Sequence, residues 1–464
     1  MERKWLKKIK KGIMAGLLTL IMIFSNVLPV LAEEVPQPDI SFWAIQTLNE
    51  AERYGIYPLH WYNYGFNETI TEDKMQMLLK GTDEKLKALG LQEKQSYEFN
   101  QNAFDGSRKA VAESIYYLFD GYVLSEELTI KADSPIDFMI KKGIINGSDK
   151  GLELDSPATV EQAVVMVSRL IMDTCDALDG GSKGLFWKTA KGKNTVYLLG
   201  SIHVGRTDMY PLNKKIRAAF EEADALVVEA NLLSMQEGMD YFIQQAMYQD
   251  GTTLKDNVSE ATYEKCLQVF EKFSLPMDVY ENFKPWSIAN DLAVITSSAT
   301  ETLEGAAEVA NAGIDMYFLS SALLQGKPIM ELEGIRFQAD LFNSIPQELQ
   351  ESHLNGILNE ILNPVSTEIA DTESVVELWQ KQWVNGEIED LRGSYAASLN
   401  ASEDEFTKAL FGKRDENMTE KIIELLEKDE EGTYFVVVGF GHFVVEGMVI
   451  DQLEEKGYEV ELVK

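Results

Sequence analysis

Thr195-Val196-Tyr197-Leu198-Leu199-Gly200-Ser201-Ile202-His203 and Tyr434-Phe435-Val436-Val437-Val438-Gly439-Phe440-Gly441-His442 are two copies of one phrase: an apolar, strand-like run closing on Gly-x-x-His. In an α/β domain, ligands gather outside the carboxyl ends of parallel strands. Two histidines in that position, from opposite ends of one region, are therefore expected at one site. The chain holds only four histidines. The other two, in Leu59-His60-Trp61 and Ser352-His353-Leu354, lack such a context and receive no role.

Further strands are expected at Ala225 to Glu229, Pro328 to Leu332 and Glu459 to Val463, with long helical stretches between them. That alternation predicts an α/β domain over residues 181–464. It opens after the small, flexible run Asp179-Gly180-Gly181-Ser182-Lys183-Gly184, where Leu185-Phe186-Trp187-Lys188 begins the change of pattern.

Four of the strands end in a polar residue: His203, Glu229, Glu333 and His442. Two imidazoles with one or two carboxylates make a shell for a divalent metal ion such as Mn, Fe, Co or Zn. A metal so held lowers the pKa of bound water and polarises a carbonyl, which makes hydrolysis the natural chemistry. Glu229 ends a buried run, where a carboxylate needs a partner or a metal. Glu333 has a second reading, as a carboxylate favoured by the dipole at a helix N-terminus. No His-Glu-x-x-His phrase is present, which excludes the commonest metalloprotease class.

The chain has 464 residues, enough for more than one folding unit. Residues 33–180 read as a small all-α domain built on a recurring phrase. Its clearest copy has a short helix at Pro135-Ile136-Asp137-Phe138-Met139, a glycine-capped turn at Gly143, and a second helix opened by Thr159 with Glu161 and Gln162 behind it. Weaker copies lead to Thr71-Glu72-Asp73 and to Ser107-Arg108-Lys109. This phrase resembles S-layer homology repeats, which implies cell-wall polymer as a partner through residues 33–180. Val160 and Glu72 stand where that family carries a basic residue, and only the middle copy retains Arg108 and Lys109.

At the start, Arg3, Lys4, Lys7, Lys8, Lys10 and Lys11 precede an apolar run from about Ile13 to Leu31, and Val30-Leu31-Ala32 offers a cleavage site. Residues 1–32 are expected to be a secretory signal, with an uncleaved membrane anchor as the competing reading. A secreted or extracellular protein follows, attached to a membrane only if the segment is retained. The net charge of −34 argues against nucleic acid as a partner. Cys175 and Cys266 are the only cysteines, and both read as structural.

Several phrases, taken in order, resemble the TraB/PrgY/GumN family, which includes the Tiki peptidases. They are Leu185-Phe186-Trp187-Lys188, Leu198 to Gly205, Pro211-Leu212, Ala223 to Glu229, Gly313-Ile314-Asp315, Gly326-Lys327-Pro328 to Leu332-Glu333 and Gln338, Arg414 to Met418, and Val438 to His442. The resemblance implies a TraB/GumN-type α/β fold with a strand-end active site. It also implies a metallopeptidase acting on a peptide or protein substrate, with Mn²⁺ or Co²⁺ rather than Zn²⁺. The metal shell carried over is His203, Glu229 and His442; in a peptidase of this kind, Glu333 or Arg414 is expected to assist the developing charges in catalysis. Arg414 sits where the family places an arginine, to bind a substrate carboxylate or an oxyanion. A surface ion pair with Asp415 or Glu416 is its other reading. Ser201 departs from the family's usual threonine. Two further functions stay open: a wall-attached protein that sequesters a pheromone-like peptide without cleaving it, and a wall-display protein whose N-terminal repeats do the main work.

Overall fold

The computed structural model describes residues 39–63, 65–95, 104–233, 236–298, 301–363, 374–401, 405–408 and 410–463. The expected signal segment, residues 1–32, lies outside the described residues. Among those described, no helix is long and apolar enough to cross a membrane. The chain forms two compact units. One comprises Lys183–Arg206 and Ala218–Lys464; the other comprises the described residues up to Ser182 together with Thr207–Arg217.

The second unit is helical, with α1 (Ile45–Arg53), α2 (Glu72–Ala88), α3 (Arg108–Asp120), α4 (Pro135–Lys141) and α5 (Val160–Ala177). Thr71, Ser107, Ser134 and Thr159 each cap a helix by accepting a backbone N–H three residues on. Three of these starts lie side by side: Ile70 donates to the Ala158 carbonyl and Ala158 to that of Gly106. The related phrases thus share one packing role at the start of a helix. Thr207–Arg217 belongs here because the buried Lys85 ammonium donates to the carbonyls of Thr207 and Tyr210, at 2.7 and 2.9 Å.

The first unit is built on a six-stranded sheet of β1 (Leu185–Lys191), β2 (Asn194–Ser201), β3 (Ala225–Val228), β4 (Ile329–Glu331), β5 (Thr433–Gly439) and β6 (Val460–Leu462), in the order β4-β3-β5-β2-β1-β6. Strands β4, β3, β5 and β2 run parallel, β1 runs against them, and β6 pairs antiparallel with β1 and so shares the direction of the four. Strand β1 was absent from the expected set. It pairs with β2 through the two-residue loop Gly192-Lys193, with Gly192 at φ 62°.

The four residues Val436, Val437, Leu198 and Leu199 are fully buried, as expected of central strands covered on both faces. An aromatic cluster of Phe186, Phe220, Phe318 and Phe435 packs on the sheet, with ring centroids 4.8 to 6.0 Å apart. Helices α6 (Ile314–Gln325), α7 (Ile335–Ser344), α8 (Val375–Asn385), α9 (Ile388–Ala401) and α10 (Lys413–Leu426) position the residues of the site. Cys175 and Cys266 are free and buried, one in each unit, and burial pushes their thiols up to about 11 and about 12.

Candidate active site at the carboxyl ends of the parallel strands

The three adjacent parallel strands β3, β5 and β2 end at Glu229, at the Gly439-Phe440-Gly441-His442 turn, and at Gly200-Ser201-Ile202-His203. The sheet thereby gathers the three residues expected to form a metal shell. All are buried: Glu229 and His442 are 1% exposed and His203 is 6% exposed.

His203 is set by a close backbone fit. A Cβ on Gly205 would stand 1.7 Å from the Ala312 carbonyl oxygen, and one on Gly313 would stand 2.1 Å from that of His203. Only glycine at both positions lets the loop after β2 lie on the start of α6. Ile314 donates to the Ile202 carbonyl at 3.0 Å and Gly205 to that of Val309 at 2.7 Å. Asp315, in the first turn of α6, is thereby brought to the imidazole. Its Oδ2 lies 2.6 Å from His203 Nδ1, and its Oδ1 accepts the Ser201 hydroxyl at 2.8 Å. Burial opposes a charge on this ring, but the Asp315 carboxylate outweighs it, and the His203 pKa is raised.

His442 stands in the short helix Gly441–Val444. Its Nδ1 lies 2.8 Å from Asp415 Oδ1, and Asp415 Oδ2 accepts the Gly412 backbone N–H at 2.9 Å. The Nε2 atoms of both histidines are buried without a hydrogen-bond partner.

Glu229 Oε1 accepts the Gly439 N–H at 2.7 Å. Its Oε2 accepts Arg414 Nη2 at 3.1 Å and Gln338 Nε2 at 3.3 Å. Arg414 also forks onto Glu333, with Nε to Oε1 and Nη2 to Oε2 both 2.7 Å, the planar pairing that guanidinium and carboxylate favour. The surface reading of Arg414 is thus corrected: its side chain is 5% exposed and bridges two buried carboxylates. Burial disfavours its charge, yet the bonds to Glu333 and the nearby Glu229 hold its pKa above the ordinary value. Glu333 does precede α7, as its alternative reading held, but its partner is Arg414.

His60 is exposed in a 3₁₀ turn, and His353 is buried with its ring stacked on Phe406 at 4.4 Å. Neither takes part in this arrangement. The sequence reading missed Asp315 and Asp415 as partners of the histidines. The helical spacing of Arg414, Asp415, Met418 and Ile422, all buried on one face of α10, was the signal that could have found the second.

Among the described residues, no three His, Cys, Asp or Glu side chains are arranged as a ready-made metal-binding group. The donor chemistry nevertheless fits a divalent cation. Two buried imidazole nitrogens lack any partner, Asp315 and Asp415 hold the far side of the two rings, and Glu229 and Glu333 share one guanidinium. A Cβ on Gly439 would lie 3.2 Å from His203 Nε2 and 3.3 Å from Glu229 Oε1, so the missing side chain leaves a cradle between these two donors.

Fold and site together define an α/β protein with a strand-end histidine and carboxylate centre. Residues 185–462 match the TraB/PrgY/gumN family model, and the chain belongs to that family. It is 24% identical over 316 residues to Metalloprotease TIKI1 of Danio rerio, which covers 60% of this chain and 62% of that protein. It is 28% identical over 160 residues to the uncharacterized protein YbaP of Escherichia coli, covering 34% of this chain and 56% of YbaP. A 56-residue stretch is 41% identical to Metalloprotease TIKI2 of Xenopus tropicalis, covering 12% of this chain and 11% of that one. The chain thus spans little more than half the length of YbaP and less than two thirds of that of TIKI1. No solved structure matches it.

Proposed function

We propose that this protein is a metal-dependent hydrolase acting on peptide bonds. The observation that carries the proposal is the pair of buried, unpartnered Nε2 atoms on His203 and His442, beside Glu229 at the ends of three parallel strands. Membership of a family whose similar proteins include two named metalloproteases supports the choice of reaction.

His203 and His442 would hold the ion, with Glu229 Oε1 as the third donor. When bound, a divalent metal supplies Lewis-acid polarisation of a carbonyl and an activated water. The resemblance favours Mn²⁺ or Co²⁺. The chain's own residues do the rest. Arg414 and Gln338 hold Glu229 Oε2, which fixes the direction of Oε1. Glu333 neutralises Arg414 and places its guanidinium, a donor group suited to a substrate carboxylate or to developing negative charge. Burial of the whole set keeps competing water from screening these charges.

Secretion through residues 1–32 and wall attachment through residues 33–180 belong to the same reading, motivated by the order of basic, apolar and small residues and by the repeated helix openings.

Digestion of a peptide library by the metal-loaded chain, with products read by mass spectrometry, tests the reaction. Cleavage by the wild type that is absent in His203→Ala supports it. A stoichiometric peptide complex without products would favour a sequestering protein instead.

A further inference from the structure

The two imidazoles are oriented by aspartates that are themselves held in different ways. Asp315 divides its oxygens between His203 Nδ1 and the Ser201 hydroxyl. Asp415 divides its oxygens between His442 Nδ1 and the backbone N–H of Gly412. All five side chains are buried: Ser201 and Asp415 are fully so, and Asp315, His203 and His442 are nearly so.

A carboxylate only accepts hydrogen bonds, so each neutral ring must carry its proton on Nδ1 and leave a lone pair on Nε2. We propose that Asp315 and Asp415 are positioning residues that fix this tautomer at both histidines. We further propose that the second bracket is obligate and the first adaptable. The inference rests on the reading of His203 and His442 as ligands, because it assigns the lone pairs such ligands need.

The asymmetry follows from donor and acceptor roles. A backbone N–H can only donate. In Asp415→Asn the amide oxygen must therefore stay on Gly412, which turns the NH₂ toward His442 Nδ1. The ring must then accept there and carry its proton on Nε2, where the lone pair is lost. A serine hydroxyl can donate or accept. In Asp315→Asn the amide oxygen can stay on His203 Nδ1–H while its NH₂ donates to Ser201 Oγ, and the tautomer survives. Two substitutions identical on paper therefore have opposite consequences.

The test uses the chain labelled with ¹⁵N in the histidine rings. Nitrogen shifts are recorded at a pH where the rings are neutral, for the wild type, Asp315→Asn and Asp415→Asn, with circular dichroism to show that each is folded. The wild type is expected to show Nδ1–H at His203 and His442, Asp315→Asn to keep both, and Asp415→Asn to move the His442 proton to Nε2. Titration with MnCl₂ or CoCl₂ alone should then give affinity about 10- to 100-fold weaker in Asp415→Asn, the usual effect of losing a ligand's orienting partner, and little changed in Asp315→Asn. Nδ1–H retained at His442 in Asp415→Asn, or lost at His203 in Asp315→Asn, would overturn the proposal. The expected tautomers with no metal uptake by the wild type would uphold the brackets and sink the metal reading. If an asparagine variant does not fold, the wild-type tautomers decide alone: an Nε2–H form at either ring refutes the proposal.

Discussion

The two Gly-x-x-His phrases look alike on the page, yet the molecule builds their surroundings from different materials. His203 is placed by long-range backbone contact: Gly205 and Gly313 let two segments touch, and that contact delivers Asp315 from 112 residues away. His442 is placed locally, by a short helix and by Asp415 on α10, 27 residues before it. One short motif can thus end in the same geometry by a long-range or a local route, and the two routes should fail differently.

The largest difference is expected from adding a methyl group. Gly205→Ala puts a Cβ where the Ala312 carbonyl stands, and α6 must move or the loop must unfold, a loss of about 3 kcal/mol or more in denaturant unfolding. In Gly439→Ala the Cβ meets nothing closer than 3.2 Å. That variant should stay folded but fill the cradle between His203 and Glu229 and lose metal. Equal stability of Gly205→Ala and wild type would show that the interlock has been misread.

Arg414 belongs to neither bracket and joins Glu229 to Glu333. Arg414→Ala strands two buried carboxylates, which typically costs about 3 to 5 kcal/mol, and chemical denaturation should show a loss of that size. A loss below about 1 kcal/mol would mean that water or a bound cation compensates these charges.

A third buried aspartate supplies a control with no imidazole beside it. Asp291 Oδ2 accepts the Tyr280 hydroxyl at 3.0 Å, and Oδ1 has no partner. Burial pushes its carboxyl up to about 8. Between its ordinary value near 4 and that value, the folded chain holds a proton that the unfolded chain has released. This contribution to stability is present in full at low pH and is lost as pH rises toward 8, by roughly 3 kcal/mol or more. Asp291→Asn should flatten this segment of the stability profile measured by urea unfolding, and an unchanged slope would contradict it. The smallest effect is expected from Ser201→Ala, which removes one buried hydroxyl bond to Asp315 and should cost about 1 kcal/mol while leaving His203 in place.

Much of this site was legible in the sequence, for an identifiable reason. Strand runs and their terminal glycines are local signals, so His203, Glu229 and His442 could be set at strand ends before any topology was known. The partners were not legible, because a hydrogen bond between His203 and Asp315 depends on how α6 packs against a loop. Arg414 was ambiguous while its charged neighbours were read in line. On α10 the same residues separate, with Lys413 and Glu416 outward and Arg414 and Asp415 inward. Strand β1 escaped notice because its tip, Ala190 and Lys191, is exposed and blurs the apolar pattern that marks its neighbours.

The most direct test of the central claim, that the two phrases share one ion, is the metal content of the chain after loading with Mn²⁺ or Co²⁺ and removal of excess. It should be measured by plasma mass spectrometry for wild type, His203→Ala and His442→Ala. One ion per wild-type chain, lost in both variants, is the expected result. Retention in either variant, or no ion in the wild type with either metal, would contradict it.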